Sequence, residues 1–122
     1  MIQLKYPISP SKFRRLFFGG SLIEVYDEGD LRLWRARDVG LALGYTSNGG
    51  NLTHLFNMPR YNKVFVEGHD YIRMAFDRRA IYCPTGVLIA LLGFDVHLAS
   101  RPRYSVRRDA IRSFLRWMPR NR

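Results

Sequence analysis

The chain is 122 residues long, which suits one domain and excludes two lobes with a cleft between them. Hydrophobic residues make up 47% of it and aromatics 14%, enough to bury a core and too much for a disordered tail. Lys and Arg outnumber Asp and Glu by 20 to 10, and the resulting +10 makes a polyanion the first partner class: nucleic acid ahead of anionic membrane or acidic protein.

In chain order, residues 1–20 read as an amino-terminal arm or short first element, with Pro7 and Pro10, then Phe13 to Phe18, then Gly19-Gly20. Residues 21–122 form the single domain. Its first piece is a β-hairpin, Leu22–Tyr26 and Leu31–Arg35, around the turn chemistry of Asp27 to Asp30. Asp38 opens a short helix through Leu43, which Gly44 stops, and a second short helix is expected over Asn48–Phe56. Lys63–Val66 and Tyr71–Met74 predict a second hairpin around Glu67 to Asp70, and Ala80–Cys83 a further strand. Gly86–Leu92 is apolar on nearly every side, so a buried helix ending at Gly93 is expected. From Tyr104, the residues Val106, Ala110, Ile111, Phe114, Leu115 and Met118 recur at threes and fours, which predicts the longest amphipathic helix, ended by Pro119. The fold class expected is α+β: small antiparallel hairpins packed with short helices and a basic carboxy-terminal helix.

The charge is polarised. Residues 101–122 hold eight arginines and one acid, Asp109. Arg108, Arg112 and Arg116 step by four along one side of the last helix, with Arg101, Arg103 and Arg107 before or beside them, so this face can follow a phosphate backbone. Nearly all the basic residues are arginines, whose planar fork bonds phosphate or a guanine edge through two parallel donors. The helix, turn and helix around Gly44 place Thr46, Ser47, Asn48, Asn51 and His54 at the start of a second helix, where they can meet phosphates or base edges. No acid occurs from Val39 to Val66, while Arg60 and Lys63 add charge there.

Catalytic chemistry has no comparable pattern, so no enzyme and no cofactor are expected. Cys83 is alone, and His54, His69 and His97 lack paired spacing, which gives no disulfide and no metal site. No apolar run approaches the ~20 residues of a membrane span, and the amino terminus has no signal-peptide core, so an intracellular, unexported protein without membrane contact is expected.

The order of pieces is itself distinctive: LIEVYDEGDLRLWRA, ARDVGLALGY, a polar TSNGGNL, a β region, IYCPTGVLIALL and AIRSFLRWM. This resembles the BRO N-terminal domain of viral and phage proteins, including phage antirepressors, over Ser21 to Met118. The run Arg37-Asp38-Val39 through Gly44-Tyr45 is its most specific part. Tyr82-Cys83-Pro84-Thr85-Gly86 stands where that family has a glutamate-proline-glycine-like turn, with Thr85 as an insertion. The resemblance implies a DNA-binding module of a mobile element with an α+β fold, regulating transcription or lysogeny, here standing alone without a second domain. The expected partner is double-stranded DNA; the alternative is a small inhibitor whose arginines dock on an acidic host or repressor protein. A homodimer is a further expectation, because Tyr104, Phe114 and Trp117 exceed what one helix face buries; the competing cover is an arm folded back through Phe13, Phe17 and Phe18.

Overall fold

The computed structural model describes residue 4 and residues 9–45, 52–57, 63–74, 80–98 and 105–118, the side chains of residues 54, 95–98 and 105–107 excepted. Five strands make one antiparallel sheet in the order β1-β2-β3-β5-β4, with helices on one side. The expected α+β class is what the chain adopts.

Two tight turns build the first three strands. Gly19 and Gly20, with φ of +56° and +84°, join β1 (Phe13–Phe18) to β2 (Ser21–Glu28) as a two-residue loop with positive φ at both positions, the conformation that matches strand twist and that glycine tolerates. The expected arm therefore ends in an edge strand hydrogen-bonded to β2 along its whole length. Gly29 (φ +60°) and Asp30 then turn β2 into β3 (Leu31–Arg35), so the strands run past Asp27 and Glu28, which the sequence assigns to the turn.

Helix α1, Ala36–Ala42, follows β3 without a loop and starts two residues before Asp38. Asp38 lies in its first turn, where a carboxylate favours the helix dipole, and its Oδ2 accepts the Glu24 backbone N–H at 2.9 Å, tying α1 to β2. At the other end Gly44 (φ +90°) donates to the Leu41 carbonyl and Tyr45 to the Gly40 carbonyl, the paired bonds that close a helix on a left-handed glycine. Helix α2, Leu52–Leu55, is a single turn that ends before Phe56; residues 48–51 of the expected second helix lie outside the described ones. A Cβ on Gly40 would stand 2.8 Å from the Leu52 backbone nitrogen, so the glycine inside α1 sets how closely α2 approaches.

The second hairpin differs from expectation. Lys63–Val66 does not pair with Tyr71–Met74; β4 is only Ile72–Arg73 and pairs with β5, Ile81–Pro84. The reason lies in residues 66–71, which satisfy their own backbone: Asp70 Oδ2 accepts the Val66 N–H at 2.7 Å, His69 and Asp70 donate to the Val66 carbonyl, and Gly68 donates to Tyr71. Those groups are no longer open to a ladder, and a lone bridge between Glu67 and Tyr71 remains.

Helix α3, Thr85–Leu98, runs through Gly93 where a stop is expected. Leu88, Leu91 and Leu92 anchor it before the glycine, and Phe94 meets the Phe65 ring at 6.1 Å just after it, contacts that outweigh the ~1 kcal/mol cost of a helical glycine. Helix α4, Ser105–Trp117, matches the predicted amphipathic helix.

The sheet has two faces with different fates. Ile23, Val25, Trp34, Ile81 and Cys83 point to the helices and form the main core with Val39, Leu88, Ile111 and Phe114. Tyr26, Leu33, Ile72 and Tyr82 form a smaller cluster on the outer face, joined by Phe13 and Leu4. Trp34 is the pivot of the first core: its ring lies 5.7 Å from Phe114 and 6.1 Å from Trp117, and its indole N–H donates to Thr85 Oγ1 at 2.8 Å.

Candidate nucleic-acid interface

Helix α4 is held to the sheet by one stripe and leaves another open. Ile111, Phe114 and Met118 are buried, and at 100° per residue they centre on the side nearly opposite Arg116 and about 125° from Arg112. Arg112 and Arg116 are accordingly exposed, about 6 Å apart along the axis, and neither forms a hydrogen bond or ion pair among the described residues. Arg108 lies closer to the apolar stripe, about 90° from its centre, and is half-buried. Asp109 is the one acid exposed on this helix.

The sheet consumes its own charges. Lys12 pairs with Glu28 at 3.2 Å, Arg14 with Asp27 at 3.4 Å, Arg35 with Glu24 at 3.7 Å and Arg73 with Glu67 at 2.9 Å. Arg32 grips Asp27 through two bonds of 2.7 and 2.9 Å, and these hydrogen bonds, more than the field of the two arginines, hold the Asp27 carboxyl below its ordinary range against the opposing effect of burial. With these acids engaged in place, Arg112 and Arg116 of α4 present positive charge that no described acid pairs.

The site residues expected from sequence are not all brought to this face. Arg112, Arg116 and Arg108 share it. Arg107 belongs to α4 and His54 to α2 by backbone, with their side chains outside the described ones. Lys63 is exposed in the turn before Phe65. Arg101, Arg103, Thr46, Ser47, Asn48, Asn51 and Arg60 lie outside the described residues. Of α2 itself, Leu52, Thr53 and Leu55 are buried, so this turn serves the core first.

No protein-family model, curated protein or solved structure matches the chain. The resemblance to the BRO N-terminal domain thus rests on the residues quoted for it. Among the described residues, no group of three or more His, Cys, Asp or Glu is placed to hold a metal, and no helix is long and apolar enough to cross a membrane.

Of the α4 edge that suggested a second copy, Phe114 and Trp117 are covered from within, and Tyr104 lies outside the described residues. Phe18 of β1 packs 5.2 Å from Phe114 and 5.1 Å from Trp117, while Phe13 turns to Tyr26 on the outer face and Phe17 is left 66% exposed. Sequence reasoning offered this cover as the competing reading, through an arm; what it missed is that the segment is a strand and that only Phe18 of the three rings reaches the edge. The signal for that strand was available in Gly19-Gly20 between two β-prone runs.

Proposed function

We propose that the chain is a DNA-binding regulatory module of the phage or virus type, non-catalytic, which grips duplex DNA through α4. The observation that carries this reading is the division of α4 into a buried stripe of Ile111, Phe114 and Met118 and an opposite face with Arg112 and Arg116, which are unpaired among the described residues. A helix fixed by three core side chains offers guanidinium forks at set spacing, so phosphate binding costs little ordering of the scaffold. The net +10 of the chain adds steering toward a polyanion. Phosphate contacts position a protein without reading sequence, and any base readout falls to residues around Thr46–His54. The test is a gel-shift titration against duplex DNA at two salt concentrations. With about five phosphates neutralised, log K falls against log salt with a slope of about −4.5; no binding at ~50 mM salt, or a flat response, removes duplex DNA as the partner.

A further inference from the structure

The outer face of the sheet carries a second polar cluster, remote from the face that α4 covers. Arg15 stands opposite Glu24 in the β1–β2 register and Arg35 opposite Tyr82 in the β3–β5 register, so Arg15, Glu24, Arg35 and Tyr82 form one row across four strands. Glu24 Oε2 accepts the Tyr82 hydroxyl and faces Arg35 Nη1 at 3.7 Å, while Asp38 Oδ2 accepts the Glu24 backbone N–H at 2.9 Å. The second oxygen of each carboxylate, Glu24 Oε1 and Asp38 Oδ1, has no hydrogen bond among the described residues, and the same holds for the exposed Arg15 side chain. Among the described residues, Arg35 Nε is buried without a hydrogen-bond partner. Beside the row stands the next cross-strand pair, Phe17 and Leu22, 66% and 55% exposed. Arg15, Leu22, Glu24, Arg35 and Asp38 line an open hollow of about 230 Å³, and Phe17 stands opposite Leu22 in the β1–β2 register.

We propose that this hollow binds a guanine base, whether in a free nucleotide or unpaired in a single strand. The base edges decide the class. Guanine presents an acceptor, O6, beside two adjacent donors, N1–H and the N2 amino group, whereas adenine, cytosine and uracil each present a single donor group on the pairing edge. The residues that line the hollow carry the complement of guanine: the guanidinium of Arg15 and the second carboxylate oxygens of Glu24 and Asp38, none of them hydrogen-bonded among the described residues. Phe17 supplies the exposed ring on which a base stacks, and Leu22 extends that apolar rim. The two carboxylates balance the two arginines, so a bare phosphate gains little here and the nucleotide phosphate points outward. The volume is below the ~300–1,000 Å³ of drug-sized pockets and leaves room for one planar group.

Calorimetric titration of the full chain with GMP, AMP, CMP, UMP and inorganic phosphate, then with short single strands of dG or dT, tests the site. GMP is expected to bind at least tenfold more tightly than the other nucleotides, and Phe17→Ala and Glu24→Gln each to weaken GMP by about tenfold or more. Phe17 is largely exposed, so Phe17→Ala leaves the melting curve and duplex binding unchanged even if Glu24→Gln disturbs the Tyr82 contact. Preference for the dG strand over the dT strand assigns the base to a single strand; GMP binding without it assigns the free nucleotide. Equal affinity for all four nucleotides, full competition by phosphate, an unaltered Phe17→Ala, or no heat with either GMP or the dG strand overturns the proposal.

Discussion

Phe114→Ala removes the side chain that fastens α4 to the sheet. The ring is fully buried and lies 5.2 Å from Phe18, 5.7 Å from Trp34 and 5.4 Å from Trp117. Truncating a buried Phe costs about 3–5 kcal/mol, and neighbours that are themselves aromatic add ~0.5–1.5 kcal/mol per favourable pair, so a loss of about 4 kcal/mol or more is expected. Unfolding entropy near 2.1 cal/mol/K per residue gives about 0.26 kcal/mol/K for this length, which places the melting shift at about 15 °C. Urea titration followed by circular dichroism reads the same loss as a lower midpoint at unchanged slope. Phe18→Ala in the same background adds less than it does alone, because the two rings share one contact. A loss below about 1 kcal/mol, or full additivity with Phe18→Ala, refutes the idea that this aromatic cluster fixes the basic helix.

Three further outcomes follow from the packing and charge of the fold. Gly40→Ala drives a methyl to 2.8 Å from the Leu52 nitrogen and costs about 1–3 kcal/mol by urea titration, whereas Gly93→Ala, with open space around its added Cβ, gains up to ~1 kcal/mol. Because the folded carboxyl of Asp27 is held below its ordinary 3.8, its contribution is complete above that value and is lost as pH falls through the lower folded one; Asp27→Asn therefore flattens the acid limb of the stability curve below about pH 4. Burial pushes the Cys83 thiol up to about 12, so a thiol reagent at about pH 8 labels it only in urea, and labelling of the native chain at the rate of an exposed cysteine contradicts its burial.

What the sequence made legible was the part governed by local rules. The period of Ile111, Phe114 and Met118 against Arg112 and Arg116 is a property of the chain alone, and α4 follows it. Gly44 closes α1 by capping chemistry that needs no tertiary partner, whereas Asp38 lies in its first turn and spends its Oδ2 on the Glu24 N–H of β2, the helix gaining two residues at its start by running directly out of β3. The errors fall where single contacts, one distant and one only four residues away, override the pattern of a segment. Gly93 reads as a stop until Phe65 is seen against Phe94, and Lys63–Val66 reads as a strand until Asp70 takes the Val66 N–H. The row Arg15, Glu24, Arg35, Tyr82 was hidden for a different reason: it exists only once β1 is counted as a strand and β5 is placed beside β3.

The central claim is that the exposed side of α4 carries the phosphate contact, and the salt dependence of duplex binding by Arg112→Ala with Arg116→Ala measures it most directly. Both arginines are exposed and face away from the core, so the double variant keeps its melting temperature. With two phosphate contacts removed, the slope of log K against log salt becomes shallower by about 1.8, and affinity drops alike for unrelated duplex sequences. A folded double variant with the parental slope and affinity contradicts the account.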